Sequence, residues 1–124
     1  MPSKLDPEQF LRDTFKSVWS LELLLHLAQE PGRSFLEGEL VEALRSSKGI
    51  VEKSLAALVA AGLVVAENDG GVRYSPANPD LRSLVERVRD EYAMRPDAVR
   101  RVIVSGAARS GASAFADAFR LRKD

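Results

Sequence analysis

Gly62 divides two hydrophobic periodicities, and that switch limits the folds open to this 124-residue chain. Before it, Ile50, Val51, Leu55, Leu58 and Val59 recur at three- and four-residue spacing, which predicts one dry helical face. After it, Leu63-Val64-Val65 and Val72-Arg73-Tyr74 are β-prone, and Asn68-Asp69-Gly70-Gly71 between them supplies the positive φ values of a hairpin turn. Glycine at 62 suits the position just past a helix C-terminus. Upstream, Phe35, Leu36, Leu40, Val41 and Leu44 outline a shorter amphipathic helix, with Ser34 and Glu37 spaced as a capping box. Arg45-Ser46-Ser47 interrupts that pattern. Residues 35–76 therefore read as helix, tight turn, helix and hairpin.

The run EALRSSKGIVEKSLAALVAAGLV, followed by a glycine-rich hairpin, resembles the winged helix-turn-helix domains of bacterial transcription regulators, loosely those of the MarR-like kind. The resemblance covers about a third of the chain. Its strongest parts are the small polar turn, the second helix, the AAGLV ending and the wing. It implies a three-helix core plus wing, with the second motif helix entering the DNA major groove. The expected fold is mainly α with a small β-hairpin wing, its core flanked by N- and C-terminal helices.

On that reading the positions facing the groove are the polar residues opposite the Val51-Leu55-Leu58 stripe: Ser46, Ser47, Lys48, Gly49, Glu52 and Lys53, with Ser54 beside them. Lys48 and Lys53 can reach phosphate or guanine edges, and Ser46 and Ser47 can bind phosphate at a helix N-terminus. Glu52 either accepts from a cytosine amine or repels the backbone. Where the family usually carries Arg, Gln, Thr or Asn, this chain has few such side chains, and a plain solvated helix face has the same composition. Arg73 matches the family's basic wing residue, although Glu67 and Asp69 oppose it from the same turn.

Charge does not single the motif out. Eighteen basic and eighteen acidic residues cancel, and the isoelectric point of about 6.6 is not that of a strongly basic nucleic-acid binder. Phosphate contacts would come from a few focused side chains, doubled by dimerisation. Cysteine is absent, which excludes disulfides, thiolate-held zinc and thiol nucleophiles. No stretch has the length and apolarity of a signal peptide or a membrane span, so the reading is a soluble, cytoplasmic protein without a cofactor.

The flanks read as helices. Asp6-Pro7-Glu8-Gln9 is a helix start, with Asp as N-cap and Pro at the first helical position. Phe10, Leu11, Phe15, Val18 and Trp19 follow at helical spacing, and residues 20–28 are apolar nearly all round, which predicts a central buried helix. A break at 17–20 is open: one helix or two. His26, the sole histidine, sits among leucines and reads as a half-buried residue bonded to a backbone carbonyl. Trp19 and Phe15 read as core. Asn78-Pro79 opens another helix, with Leu81, Leu84, Val85 and Val88 as its stripe. Pro96 allows a fresh start through Ala98, Val99, Val102 and Ile103, and Phe115, Ala116, Phe119 and Leu121 suggest a last amphipathic helix.

Residues 102–113 imitate a phosphate-binding loop, with Gly106, Gly111 and Ser113 suitably spaced, but Ala112 stands where the lysine belongs. No serine-hydrolase elbow, His-Glu-x-x-His pattern or cysteine dyad occurs, so no catalytic or metal-ligating residue is assigned. The segments are expected to divide as an extension over 1–19, the winged core over 20–76 and C-terminal helices over 77–124, within one compact domain. The expected activity is regulation of transcription by binding double-stranded DNA, as a homodimer joined through the N- and C-terminal helices. The alternative is a winged-helix adaptor that binds protein and never touches DNA.

Overall fold

A computed structural model describes residues 6–106. Asp6 caps helix α1 (Pro7–Thr14) by accepting from the Glu8 N–H at 3.0 Å, with Pro7 at the first helical position. The chain then breaks at Phe15, whose extended backbone ends α1, and Ser17 starts α2 (Val18–Ala28), its hydroxyl accepting from the Ser20 N–H. The open question of one helix or two is thus answered by a serine cap. Leu21, Leu23, Leu24 and Leu27 of α2 are wholly buried, each contributing about 1.5–3 kcal/mol from water exclusion. As the leucine-rich run predicted, α2 is the central helix. It packs on α3, α4 and the sheet.

Strand β1 (Ser34–Phe35) precedes α3 (Glu37–Leu44). Here the capping expectation fails. Ser34 belongs to the strand, Leu36 is the cap residue, and its N–H donates to the Glu39 carboxylate at 2.8 Å. Leu36, expected on the dry face, is 54 % exposed. Helix α4 (Lys48–Ala60) ends as foreseen at Gly62, whose φ of +79° takes the left-handed conformation. The Gly62 N–H bonds to the Val59 carbonyl and the Leu63 N–H to that of Leu58, while both leucines are wholly buried.

Strands β2 (Val64–Ala66) and β3 (Val72–Tyr74) form the hairpin, and β1 joins the far edge, giving the antiparallel order β1-β3-β2. Ser34 pairs with Arg73 and Phe35 with Val72, while Val65 faces Arg73 from the other side. Alternation buries Val72 and Tyr74 and turns Arg73 outward. Asn78 then caps α5 (Pro79–Met94) by accepting from the Leu81 N–H at 2.9 Å. Leu84, Val85 and Val88 bury the predicted stripe. A further helix, α6, occupies 96–106 and buries Val99 and Ile103. The phosphate-loop resemblance loses its strand here, because Val102, Ile103 and Val104 are helical. The rest of that loop, and the amphipathic run through Phe115, Phe119 and Leu121, lie outside the described residues.

One core joins these segments: Phe10 and Leu11 of α1, the α2 leucines, Val51 and Leu58 of α4, Tyr74, and Val88, Val99 and Ile103. Helix α1 packs on α5 of the same chain. The described part is mainly helical with a small three-stranded antiparallel sheet, and no described helix is long and apolar enough to cross a membrane.

Candidate nucleic-acid interface

The turn between α3 and α4 is fixed by backbone hydrogen bonds. Arg45 takes a left-handed conformation at φ 52°, its N–H bonds to the Glu42 carbonyl, and the Ser46 N–H reaches the Val41 carbonyl. Ser47 is extended and caps α4, its hydroxyl accepting from the Ile50 N–H at 3.2 Å. The amides of Lys48 and Gly49 open the helix, and no acidic residue stands in its first turn. A helix start of this kind carries about half a positive charge.

At 100° per residue, the outermost row of α4 is Gly49, Lys53, Ala56 and Ala60, all exposed. Lys48, Glu52 and Val59 lie on one flank, and Ile50 and Ala57 lie on the flank toward α2. Lys48, Gly49, Glu52 and Lys53 are therefore brought onto the surface of one helix, as expected. Ser47 is at the same end but its hydroxyl is occupied as the cap. Ser46 is half-buried, and its Oγ is buried without a hydrogen-bond partner. Ser54, placed beside the groove-facing set, is 5 % exposed and belongs to the interior. Ile50 and Val59, expected in the dry stripe, are instead 37 % and 41 % exposed, because the described elements cover those flanks only in part.

Arg73 stands apart from this group. It lies on the central strand, and its Nε is 3.4 Å from the Glu67 carboxylate, so its charge is already matched. The exposed hairpin tip, Asn68, Asp69 and Gly70, carries acid and no base.

Two residues enter the site that periodicity did not reveal. Trp19, read as core, is 39 % exposed, and with Lys16 it lines a cleft shared with Ile50 and Lys53. The available signal was Ser17: a cap there resets the helical phase and turns the indole away from the core. Lys16, Lys48 and Lys53 are all the lysines among the described residues, and none makes an ion pair with a described residue. By contrast Arg12, Arg33, Arg73, Arg89, Arg95 and Arg100 each meet a carboxylate. Glu52 lies one turn after Lys48 without pairing to it; lysine preceding glutamate is the weaker order for such a pair.

His26 packs against the Phe35 ring, with centroids 5.5 Å apart, while the Arg33 guanidinium covers that ring at 4.3 Å. Tyr92 donates to Glu22 at 2.6 Å; burial first, and this bond second, push its phenol above the ordinary value. No three acidic, histidine or cysteine side chains among the described residues are grouped to hold a metal. In comparisons with known proteins, no family model matches the chain, and no curated protein matches its sequence.

Proposed function

We propose that this chain is a winged helix-turn-helix protein that binds duplex DNA with the N-terminal half of α4 and regulates transcription in the cytoplasm as a homodimer. The observation that carries the reading is the lysine distribution. Lys48 and Lys53 stand on the exposed surface of α4, and Lys16, just before the serine-capped start of α2, shares a cleft with Lys53. None of the three makes an ion pair with a described residue, which gives a neutral chain an anion-seeking surface. The element order supports it: α2, β1, α3, α4 and the hairpin follow one another as in a three-helix core with a wing. Lys48 and Lys53 take phosphate or base edges, Ser47 and Gly49 present the helix start, and Lys16 reaches the flanking backbone. Arg73 contributes only if DNA displaces Glu67.

Fluorescence anisotropy of a labelled duplex, titrated across salt, tests this. Each phosphate that a lysine ceases to neutralise lowers the logarithmic salt slope by about 0.9, so Lys48→Ala/Lys53→Ala is expected to flatten it by roughly 1.8. Absence of binding at low salt, or a slope indifferent to both lysines, refutes the reading.

A second reading is favoured by the outer row of α4. Gly49, Ala56 and Ala60, flanked by exposed Ile50 and Val59, form an apolar ridge bearing one cation. Small residues allow close approach of another helix and offer nothing to a base edge. An adaptor that binds protein through this ridge is the form such a surface would take without DNA.

A further inference from the structure

The lysine face also holds a feature that phosphate recognition does not require. Trp19 and Ile50 line a cleft of about 350 Å³ together with Lys16 and Lys53. Through Lys16 and Ala57 it runs on into a depression of about 540 Å³ between α1, α4 and α5, where Asp13 supplies a carboxylate. From Ile50 to Ala60 the α4 wall of the two depressions spans ten rises, roughly 15 Å, close to the length of a three-turn helix. The groove thus has an apolar floor, with Lys53 in its first part, Lys16 where the two depressions meet and Asp13 in the second, and neither lysine makes an ion pair with a described residue.

We propose that this groove docks an amphipathic helix of a partner protein, about three turns long, with acidic residues in its first turn and bulky apolar side chains on one face. Its anchors at i, i+3 or i+4, and i+7 enter between Trp19 and Ile50 and along Ala57. Its acidic first turn lies over Lys16 and Lys53, which also suits that helix's own dipole, and its last turn lies toward Asp13. The length of the groove and its passage from Lys53 through Lys16 to Asp13 select a helix over a small anion, which would fill one part alone. This docking goes beyond the DNA reading and does not depend on it. Because Lys53 serves both, a bound helix excludes duplex from α4.

Trp19 is the only tryptophan in the chain, so its emission reports occupancy directly. The probe is a tryptophan-free synthetic 14-residue helical peptide with three glutamates in its first turn and a Leu, Phe, Leu face. The expected result is a saturable blue shift, about tenfold weaker binding in Lys16→Ala/Lys53→Ala, and a similar weakening when the peptide's anchors become alanine. Both lysines are exposed and make no ion pair with a described residue, so the variant keeps its fold; far-UV circular dichroism checks this, and Ile50→Ala serves as an independent second variant. The proposal is overturned by an unchanged spectrum with the peptide at millimolar concentration, or by equal binding of the anchorless peptide. Tighter response to octanoate or phenylacetate assigns the cleft to small anions and also overturns it. So does a protein-concentration-dependent shift without peptide that coincides with dimerisation in sedimentation, which places a second copy in the groove. Failure of duplex binding alongside peptide binding leaves the proposal standing and removes only the DNA reading.

Discussion

Arg45 is the only described non-glycine residue with positive φ, and it sits in the turn that aims α4. Holding an L-residue in the left-handed region costs about 1–2 kcal/mol. Arg45→Gly removes that strain, while the wider unfolded ensemble of glycine returns about 0.5–1 kcal/mol. The expected net gain is about 0.5–1 kcal/mol, or roughly 2–8 °C in Tm for a domain of this size. Arg45→Ala keeps the backbone strain and removes the same guanidinium, so its stability is expected within about 0.5 kcal/mol of the parent. Urea denaturation reads the difference as a shift in midpoint at constant slope. Equal midpoints for the glycine and alanine variants would refute the argument, because only the backbone distinguishes them. The same pair separates fold from function. If Arg45 meets phosphate, both variants flatten the salt slope by about 0.9 although only one is stabilised.

Adjacent serines should respond with opposite signs. Ser47→Ala removes the α4 cap and is expected to cost about 1 kcal/mol, whereas Ser46→Ala removes a buried unpartnered hydroxyl and is expected to gain about 0.5–1 kcal/mol; chemical denaturation of both variants checks this. A Cβ at Gly71 would stand 2.2 Å from Ser34 Oγ, so Gly71→Ala is expected to cost about 1–2 kcal/mol, most of it restored by adding Ser34→Ala in a double-mutant cycle. Tyr92 has its phenol pKa raised in the fold, so its neutral form is favoured. That contribution is complete below pH 10 and is lost as pH rises through the raised value. Tyr92→Phe should lose about 0.5–1.5 kcal/mol at pH 7 and decline less steeply than the parent above pH 10, as read by urea midpoints across that range.

The elements legible in the sequence are those whose local chemistry and tertiary role agree. Asp6, Asn78 and Gly62 act at the helix ends where their side-chain or backbone preferences put them, and the α5 stripe is buried as its spacing requires. Strand β1 was hidden because two residues cannot show an alternation; only the burial of Phe35 and its pairing with Val72 make it a strand. The α3 cap went to Glu39 because β1 claims Ser34. Periodicity reports the phase of apolar side chains and not which neighbours cover them, so the spacing of Ile50, Val59 and Trp19 predicts an interior position that the packing does not supply. Lys16 joins Lys53 only through the packing of α2 on α4, a relation that no local pattern contains.

Net neutrality conceals an uneven distribution, and that unevenness decides what each functional reading must explain. Much of the arginine charge is matched by carboxylates on its own surface, so it adds little field at a distance. Among the described residues, what remains for a polyanion around α4 is Lys16, Lys48, Lys53 and Arg45, which together neutralise about four phosphates for a salt slope near −3.6. A single chain with so few cations, and with glycine and alanine along the outer row of its helix, has little means of discriminating sequence. Two chains on adjacent half-sites double the slope to about −7 and add geometric selection by spacing. The DNA reading therefore requires the dimer, whereas the helix-docking groove is complete within one chain. Sedimentation of the protein with and without duplex separates them physically: a two-chain complex with a slope near −7 fits a regulator. A monomer with a slope of −3.6 or less leaves the groove as the surface on which specificity can be built.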